Sequence, residues 1–351
     1  MAGELIPTSV DPVSADADFW KRLHQFRRVR QDELRPDDPI RPDADEEAHM
    51  KRVNPFHVEE RFEVSHGGRM LGWLQGFALT PKSPEYESNK HIYEADIYVR
   101  VEMRRRDIGT SMLPVVLRLM DRRGATKLDF WVEEESGHGF MKWLGAEPKL
   151  SSIESRLKFS ELDWPALERW VADGPRRSPH TSLEIIDGHM PEDSWAEFAP
   201  QLSAMLNTIP FEQLDRGEIV VTPETMRDFN ERLDMSGEVQ HTALTREPDG
   251  TMSGITDVVW APYRPTIIHQ RFTGVQPAAR GRGLGKWLKA TMLLHVRELY
   301  PDTQWVVTDN AGSNAPMLAI NRALGFKPYR SGSEYQITRD QLTERLKALR
   351  I

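Results

Sequence analysis

The chain has 351 residues, enough for about two domains. Its 46 Lys and Arg against 54 Asp and Glu leave a formal net charge of −8. That balance excludes a general nucleic-acid binder, which needs a basic surface. The absence of cysteine excludes disulfides, thiolate nucleophiles and zinc–thiolate sites.

No apolar run reaches the length of a membrane span, and the start carries neither a basic nor an apolar leader segment. The expectation is a cytoplasmic protein without a membrane partner. In the first half, apolar Phe19, Leu23, Phe26 and Val29 recur at helical spacing over 16–30. The charged, Pro-dotted stretch 32–54 reads as a loop carrying a short helix. Segments 60–65 and 70–79 flank His66-Gly67-Gly68, a hairpin signal. A strand over 92–101 precedes a helix over 109–123 that Gly124 ends. A strand over 127–132, a short helix over 139–144 and a strand over 152–159 follow. Residues 173–180, rich in Pro, Gly and charge, predict a linker.

The second half repeats the pattern. Strands are expected over 182–186, 240–245, 252–260, 266–275, 304–308 and 334–338, and helices over 194–207, 223–233, 283–299, 314–324 and 339–350. Two ordered echoes support a duplication. Arg104, Arg106 and Gly109 match Arg280, Arg282 and Gly285 at an offset of 176. Leu144-Gly145 matches Leu324-Gly325 at an offset of 180. Each half is then one copy, 1–175 and 180–351.

The stretch Arg280-Gly281-Arg282-Gly283-Leu284-Gly285-Lys286 sits between a strand and a helix. Glycines there let the backbone approach a ligand, and the amides of the first helical turn face an anion. With Arg280, Arg282 and Lys286 this makes a pyrophosphate cradle; the plainer reading is a glycine-rich turn with solvated charges. A P-loop needs Ser or Thr after Gly-Lys, and here Trp287 follows. The glycines are also too closely spaced for a dinucleotide fingerprint.

Downstream stand Asn310, Asn314 and Leu324-Gly325-Phe326. Loop, helix, strand, Asn-led helix and Leu-Gly-Phe, over 267–328, resemble the GNAT superfamily of acyl-CoA N-acyltransferases. The two-copy layout is similar to the tandem actinobacterial GNAT type, the group of the mycothiol synthases, and 206–211 resembles that group more weakly. The resemblance implies an α/β (α+β) fold of two tandem GNAT-like domains. Each would be a mixed, mostly antiparallel sheet flanked by helices, with splayed central parallel strands. It implies acetyl-CoA or another acyl-CoA as cofactor, held by Thr273, Val275, Arg280–Lys286, Asn310 and Asn314. Asn314 also reads as a helix cap.

Acyl transfer needs a neutral amine, a donor for the oxyanion and an acid for the leaving thiolate. The resemblance places the family's acid, a Tyr, at Asn321, and an amide cannot supply that proton. Tyr329 and Tyr335 are candidate replacements. His269 is the candidate base by type, unless its side chain takes the other face of the strand. Asp309, acting through water or capping a turn, and Asp257 are further candidates. In the first copy Asp107 replaces a glycine, residues 133–138 are acidic and Met141 takes the Tyr position. That copy is expected to be a degenerate scaffold shaping the acceptor cleft; the alternative is that Arg104, Arg105, Arg106 and Gly109 still bind a CoA-like anion. His241 and His269 lack metal-ligand spacing, so no metal is assigned. The expected activity is N-acetyl transfer to a small-molecule or peptide amine by a monomer or homodimer, with the cofactor in the second copy. The alternatives are a non-catalytic acyl-CoA sensor and other acyl-CoA chemistry on the same fold.

Overall fold

A computed structural model describes residues 5–349. Among the described residues there are twelve strands and eleven α-helices. The strands are β1 (Thr8–Val10), β2 (His57–His66), β3 (Arg69–Leu79), β4 (Ile92–Val99), β5 (Lys127–Val132), β6 (Glu147–Lys158), β7 (Ser182–Asp187), β8 (Val239–Arg246), β9 (Met252–Trp260), β10 (Ile267–Val275), β11 (Trp305–Ala311) and β12 (Lys327–Thr338). The helices are α1 (Ala17–Leu34), α2 (Asp43–Lys51), the single turn α3 (Tyr86–Asn89), α4 (Ile108–Arg123), α5 (Glu135–Leu144), α6 (Trp164–Arg177), α7 (Trp195–Leu206), α8 (Pro223–Met235), α9 (Leu284–Leu299), α10 (Ala315–Leu324) and α11 (Arg339–Leu349). This is the mixed α/β architecture expected, with α2 as the short helix of the 32–54 stretch.

The chain forms two compact units. One joins the residues up to 150 with 213–218 and those from 332 on; the other joins 151–212 with 219–331. In the first, the strand order is β1-β2-β3-β4-β5-β12, and β4 and β5 are parallel. Gly67 and Gly68, both at positive φ, turn the β2–β3 hairpin. Helix α4 buries Ile108, Met112, Leu113, Val116 and Met120 in a core with Leu74, Leu128 and Phe130. In the second, the order is β6-β11-β10-β9-β8-β7, with β10 and β11 parallel. There α9 packs Leu288, Met292, Leu293 and Val296 with Ile268 and Val306.

The expected linker is not one. Residues 164–177 form a single helix capped by Asp163. Gly174 is buried because a Cβ there would stand 2.1 Å from the Trp287 ring. Glycine here marks close packing rather than a break. Each unit instead takes the last strand of the other half. Residues Ser333–Thr338 of β12 pair antiparallel with β5, and residues 152–158 of β6 pair with β11. Strands β6, β11 and β12 also run longer than expected; on β11 the pairing continues through Asp309, Asn310 and Ala311, past the apolar residues that mark it in sequence.

Gly76 on β3 shows how tight the first core is. The buried Tyr93 ring lies against it, and a Cβ would fall 2.0 Å from the Tyr93 hydroxyl. Gly76→Ala is expected to cost about 1–3 kcal/mol by overpacking, read as a lower urea midpoint with an unchanged slope.

Candidate functional site

In each unit the parallel pair holds for three residues and then parts. Ile92, Tyr93 and Glu94 face Lys127, Leu128 and Asp129, while Ile267, Ile268 and His269 face Trp305, Val306 and Val307. Beyond these rungs the strands diverge, and the loop after the first strand of each pair leads into a helix.

The two loops share one backbone course. Arg105 and Asp107 have φ of 62° each; Gly281 and Gly283, 176 positions on, have φ of 79° and 87°. Arg104 Nε donates to the Val99 carbonyl at 3.3 Å, and Arg280 Nε to the Val275 carbonyl at 3.2 Å. A Cβ on Gly109 would touch Phe140 and Val99 at 3.9 Å. On Gly285 it would touch Ile320 at 3.1 Å and Val275 at 3.7 Å. Neither α4 nor α9 has a side-chain cap at its N-terminus. Both helices therefore turn first-turn amides outward, as anion binding requires. Asp107 accordingly adopts the glycine conformation, although left-handed backbone is costly for a residue with a Cβ.

The first unit carries an open cavity of about 300 Å³ in this wedge. Ile97, Tyr98 and Val99 of β4, the loop residues Met103–Thr110 without Arg106, and Phe140 and Trp143 of α5 line it. Phe140 and Trp143 stack at 5.4 Å. Glu134 stands at its edge, bonded by Arg104 at 2.7 Å and Arg30 at 2.8 Å. Burial works against ionisation of Glu134, but these two guanidinium groups outweigh it and hold its carboxyl below the usual range.

Carboxylates gather on the same unit's sheet. Glu94 and Asp129 are register partners, as are Asp129 and Gln336 and Trp131 and Glu334. Arg216 reaches Glu94 at 2.7 Å, Glu334 at 3.4 Å and Asp129 at 3.5 Å. Burial lifts Asp129 to about 6 and Glu334 to about 7. Asp96, two residues before Tyr98 on the same face of β4, is lifted to about 6 by burial and then by Glu94. Sequence reasoning missed this group. Its signal is the alternation Glu94-x-Asp96-x-Tyr98; Asp129, Arg216 and Glu334 are too distant in sequence to be joined to it.

In the second unit the loop Gly281–Lys286 begins α9 as expected, with Leu284 buried and Gly285 against Ile320. Arg282 is committed to Glu247, Thr181 and Ser178. Lys286 lies 4.8 Å over the Trp170 ring. Arg177, placed by sequence in the linker, donates to the Gly281 carbonyl at 2.9 Å and lies over Gly283. Thr273 bonds Thr256 at 2.7 Å. Asn314 caps α10 through Met317 N at 3.4 Å.

The candidate catalytic residues do not converge. Tyr335 is in the first unit, bonded to His138 Nδ1 at 2.9 Å. It is there because β12 pairs with β5. Tyr329 packs beneath Arg156. His269 sits in the paired part of β10, between Val259 and Val307. Its neighbour Ile268 joins the core under α9, so His269 projects from the opposite face. Asp309 lies opposite Glu154 on β11. Asp257 is buried and accepts from Phe272 N at 2.9 Å at a bulge in β10.

Asn321 is buried between two polar side chains. Buried Lys289 of α9 donates to its Oδ1 at 2.7 Å, and its Nδ2 donates to Asn310 Oδ1 at 2.6 Å. Burial pushes Lys289 down to about 7. The matching positions of the first unit are apolar Leu113 and Met141.

Residues 21–146 match the model of the Acetyltransferase (GNAT) family. A tandem GNAT protein from the clavulanic acid biosynthesis pathway is 22% identical, with a TM-score of 0.71, over 95% of this chain and 98% of that one. The fold is that of a tandem GNAT protein. A GCN5-related N-acetyltransferase from Sphaerobacter thermophilus is 12% identical, with a TM-score of 0.62, over 95% of both chains. No curated protein matches by sequence. The GNAT family match falls on the first half, the copy expected to be degenerate. Among the described residues no helix is long and apolar enough to cross a membrane.

Replacing Lys289 and Asn321 by Leu and Met, as in the first unit, is expected to stabilise the protein by about 1–4 kcal/mol at pH 6, since a buried charge is exchanged for packing. Lys289 has a folded pKa below its unfolded value. The native state therefore bears the full cost of the charge below about pH 7 and sheds it as pH rises toward the unfolded value of about 10.4. The gain, measured by urea denaturation, should shrink over that window. An equal gain at pH 6 and pH 10 would contradict the assignment.

Proposed function

We propose that the protein is an acyl-CoA-dependent N-acyltransferase, acetyl-CoA being the expected donor, with the acyl-CoA in the wedge of the first unit. One observation carries this reading: the cavity between β4 and α5 opens onto the uncapped N-terminus of α4. The fit is chemical as well as spatial. Outward amides with Arg105, and with Arg104 where the anion displaces its bonds to Glu134 and Ser136, suit a pyrophosphate, and the apolar walls of Ile97, Val99 and Phe140 suit a pantetheine arm. The thioester supplies the acyl group. This reading moves the cofactor from the second half, where the sequence analysis expects it. The second unit keeps a claim through Gly281 and Gly283, whose backbone matches the first loop.

The acceptor enters as an ammonium and has to lose a proton before it attacks. We assign that proton to Asp96, a carboxylate on the divergent part of β4 beside the cavity-lining Ile97, with its affinity for protons raised toward neutrality. The walls of the wedge hold donor and acceptor together, which supplies much of the rate. The acceptor is a small-molecule or peptide amine.

Two measurements test this. By calorimetry, Arg104→Ala should weaken acetyl-CoA binding about tenfold or more, the worth of a charge-assisted hydrogen bond, while Arg280→Ala leaves it unchanged. The reverse result would return the cofactor to the second unit. In a thiol-release assay with an amine panel, wild-type kcat/KM should rise with pH through about 6, where Asp96 loses its proton. Asp96→Asn should lower it about 10²–10⁴-fold and remove that limb. Tight binding with no turnover on any amine would favour a sensor.

A further inference from the structure

We propose that Asp187, His241 and His295 form a binding site for one divalent transition-metal ion, of the zinc class. Asp187 ends β7 and faces His241 of β8 in register, and His295 comes from α9. His241 Nδ1 stands 2.5 Å from Asp187 Oδ1, and His295 Nε2 stands 2.7 Å from the same oxygen. The three ligand atoms lie within 4.8 Å of one another. Two imidazole nitrogens and one carboxylate oxygen are the donor set zinc and its neighbours prefer, and a poor one for calcium or magnesium.

The surroundings are those of a metal site. His241 is 3% exposed, and its remote Nε2 is held by the Tyr300 hydroxyl at 2.7 Å. A second partner of that kind orients a ligating imidazole. Tyr300 is itself fixed by stacking on Trp260 at 5.1 Å. Asp187 is more than half exposed, so its carboxylate can turn outward and leave room for an ion between the two imidazoles, whose bonds to zinc would be ~2.0–2.2 Å. Three protein ligands leave a fourth position for water. Residues 187, 241 and 295 lie 54 positions apart in each step, a spacing that no local motif reveals. The ion would staple the edge strand β7 to α9.

The test uses the full chain without a histidine tag, stripped with a chelator and titrated with zinc chloride by calorimetry. One zinc should bind per chain and raise Tm; calcium should do neither. His295→Ala and Asp187→Asn should each weaken zinc binding more than tenfold and abolish the Tm rise. His189→Ala, which removes an imidazole paired with Asp234 in the same unit, should keep both. Absence of zinc binding by the wild type, retention in His295→Ala, or loss in His189→Ala would overturn the proposal. None of these readouts depends on acyl transfer.

Discussion

Each unit turns on a parallel strand pair that is hydrogen-bonded over three rungs and then separates. Backbone groups past the last rung lose their ladder partners, and a buried unpaired amide or carbonyl is costly. The molecule meets that demand locally. The first arginine of each loop folds back onto the last strand carbonyl, at Val99 and at Val275. The next helix then starts above the gap with its own amides unclaimed. The gap follows from strand divergence; in the first unit its side chains then give it apolar walls and an arginine-lined rim.

The two units differ at matching buried positions. In the first, Leu113 and Met141 are buried among apolar neighbours and the cavity stays open. In the second, a hydrogen-bonded line runs from Lys289 on α9 through Asn321 on α10 to Asn310 on β11. A buried ammonium without a carboxylate is expensive. The two amides soften that cost, and the Phe326 ring 5.3 Å away adds a cation–π contact. Duplicated backbones thus support different contacts at matching positions, apolar at Leu113 and Met141 and polar at Lys289 and Asn321.

Much of this was legible from residue order. The offset of 176 between Arg104 and Arg280 marks two loops of matching course, and Gly124 stops the helix it was expected to stop. What escaped has physical causes. The apolar alternation of 334–338 says that β12 is a strand but not which strand it joins, because pairing partners are set by topology. Gly174 and Pro175 have linker composition, yet Gly174 serves the Trp287 ring. Asp107 stands where the second loop has a glycine, yet its backbone reproduces the glycine turn and its exposed side chain sits at the edge of the cavity. Asp96, Asp129 and Glu334 become one group only through register.

The shared last strands have a consequence for synthesis. Strand β5 is complete when the ribosome reaches residue 132, but the β12 residues that pair with it begin at 333. At roughly 5–20 residues per second, that edge waits about 10–40 s with its hydrogen-bonding groups uncovered. An unpaired strand edge is the surface on which nascent chains associate wrongly. The interval is long enough for a chaperone to shield it, so the yield of folded protein should depend on how fast the second half is translated.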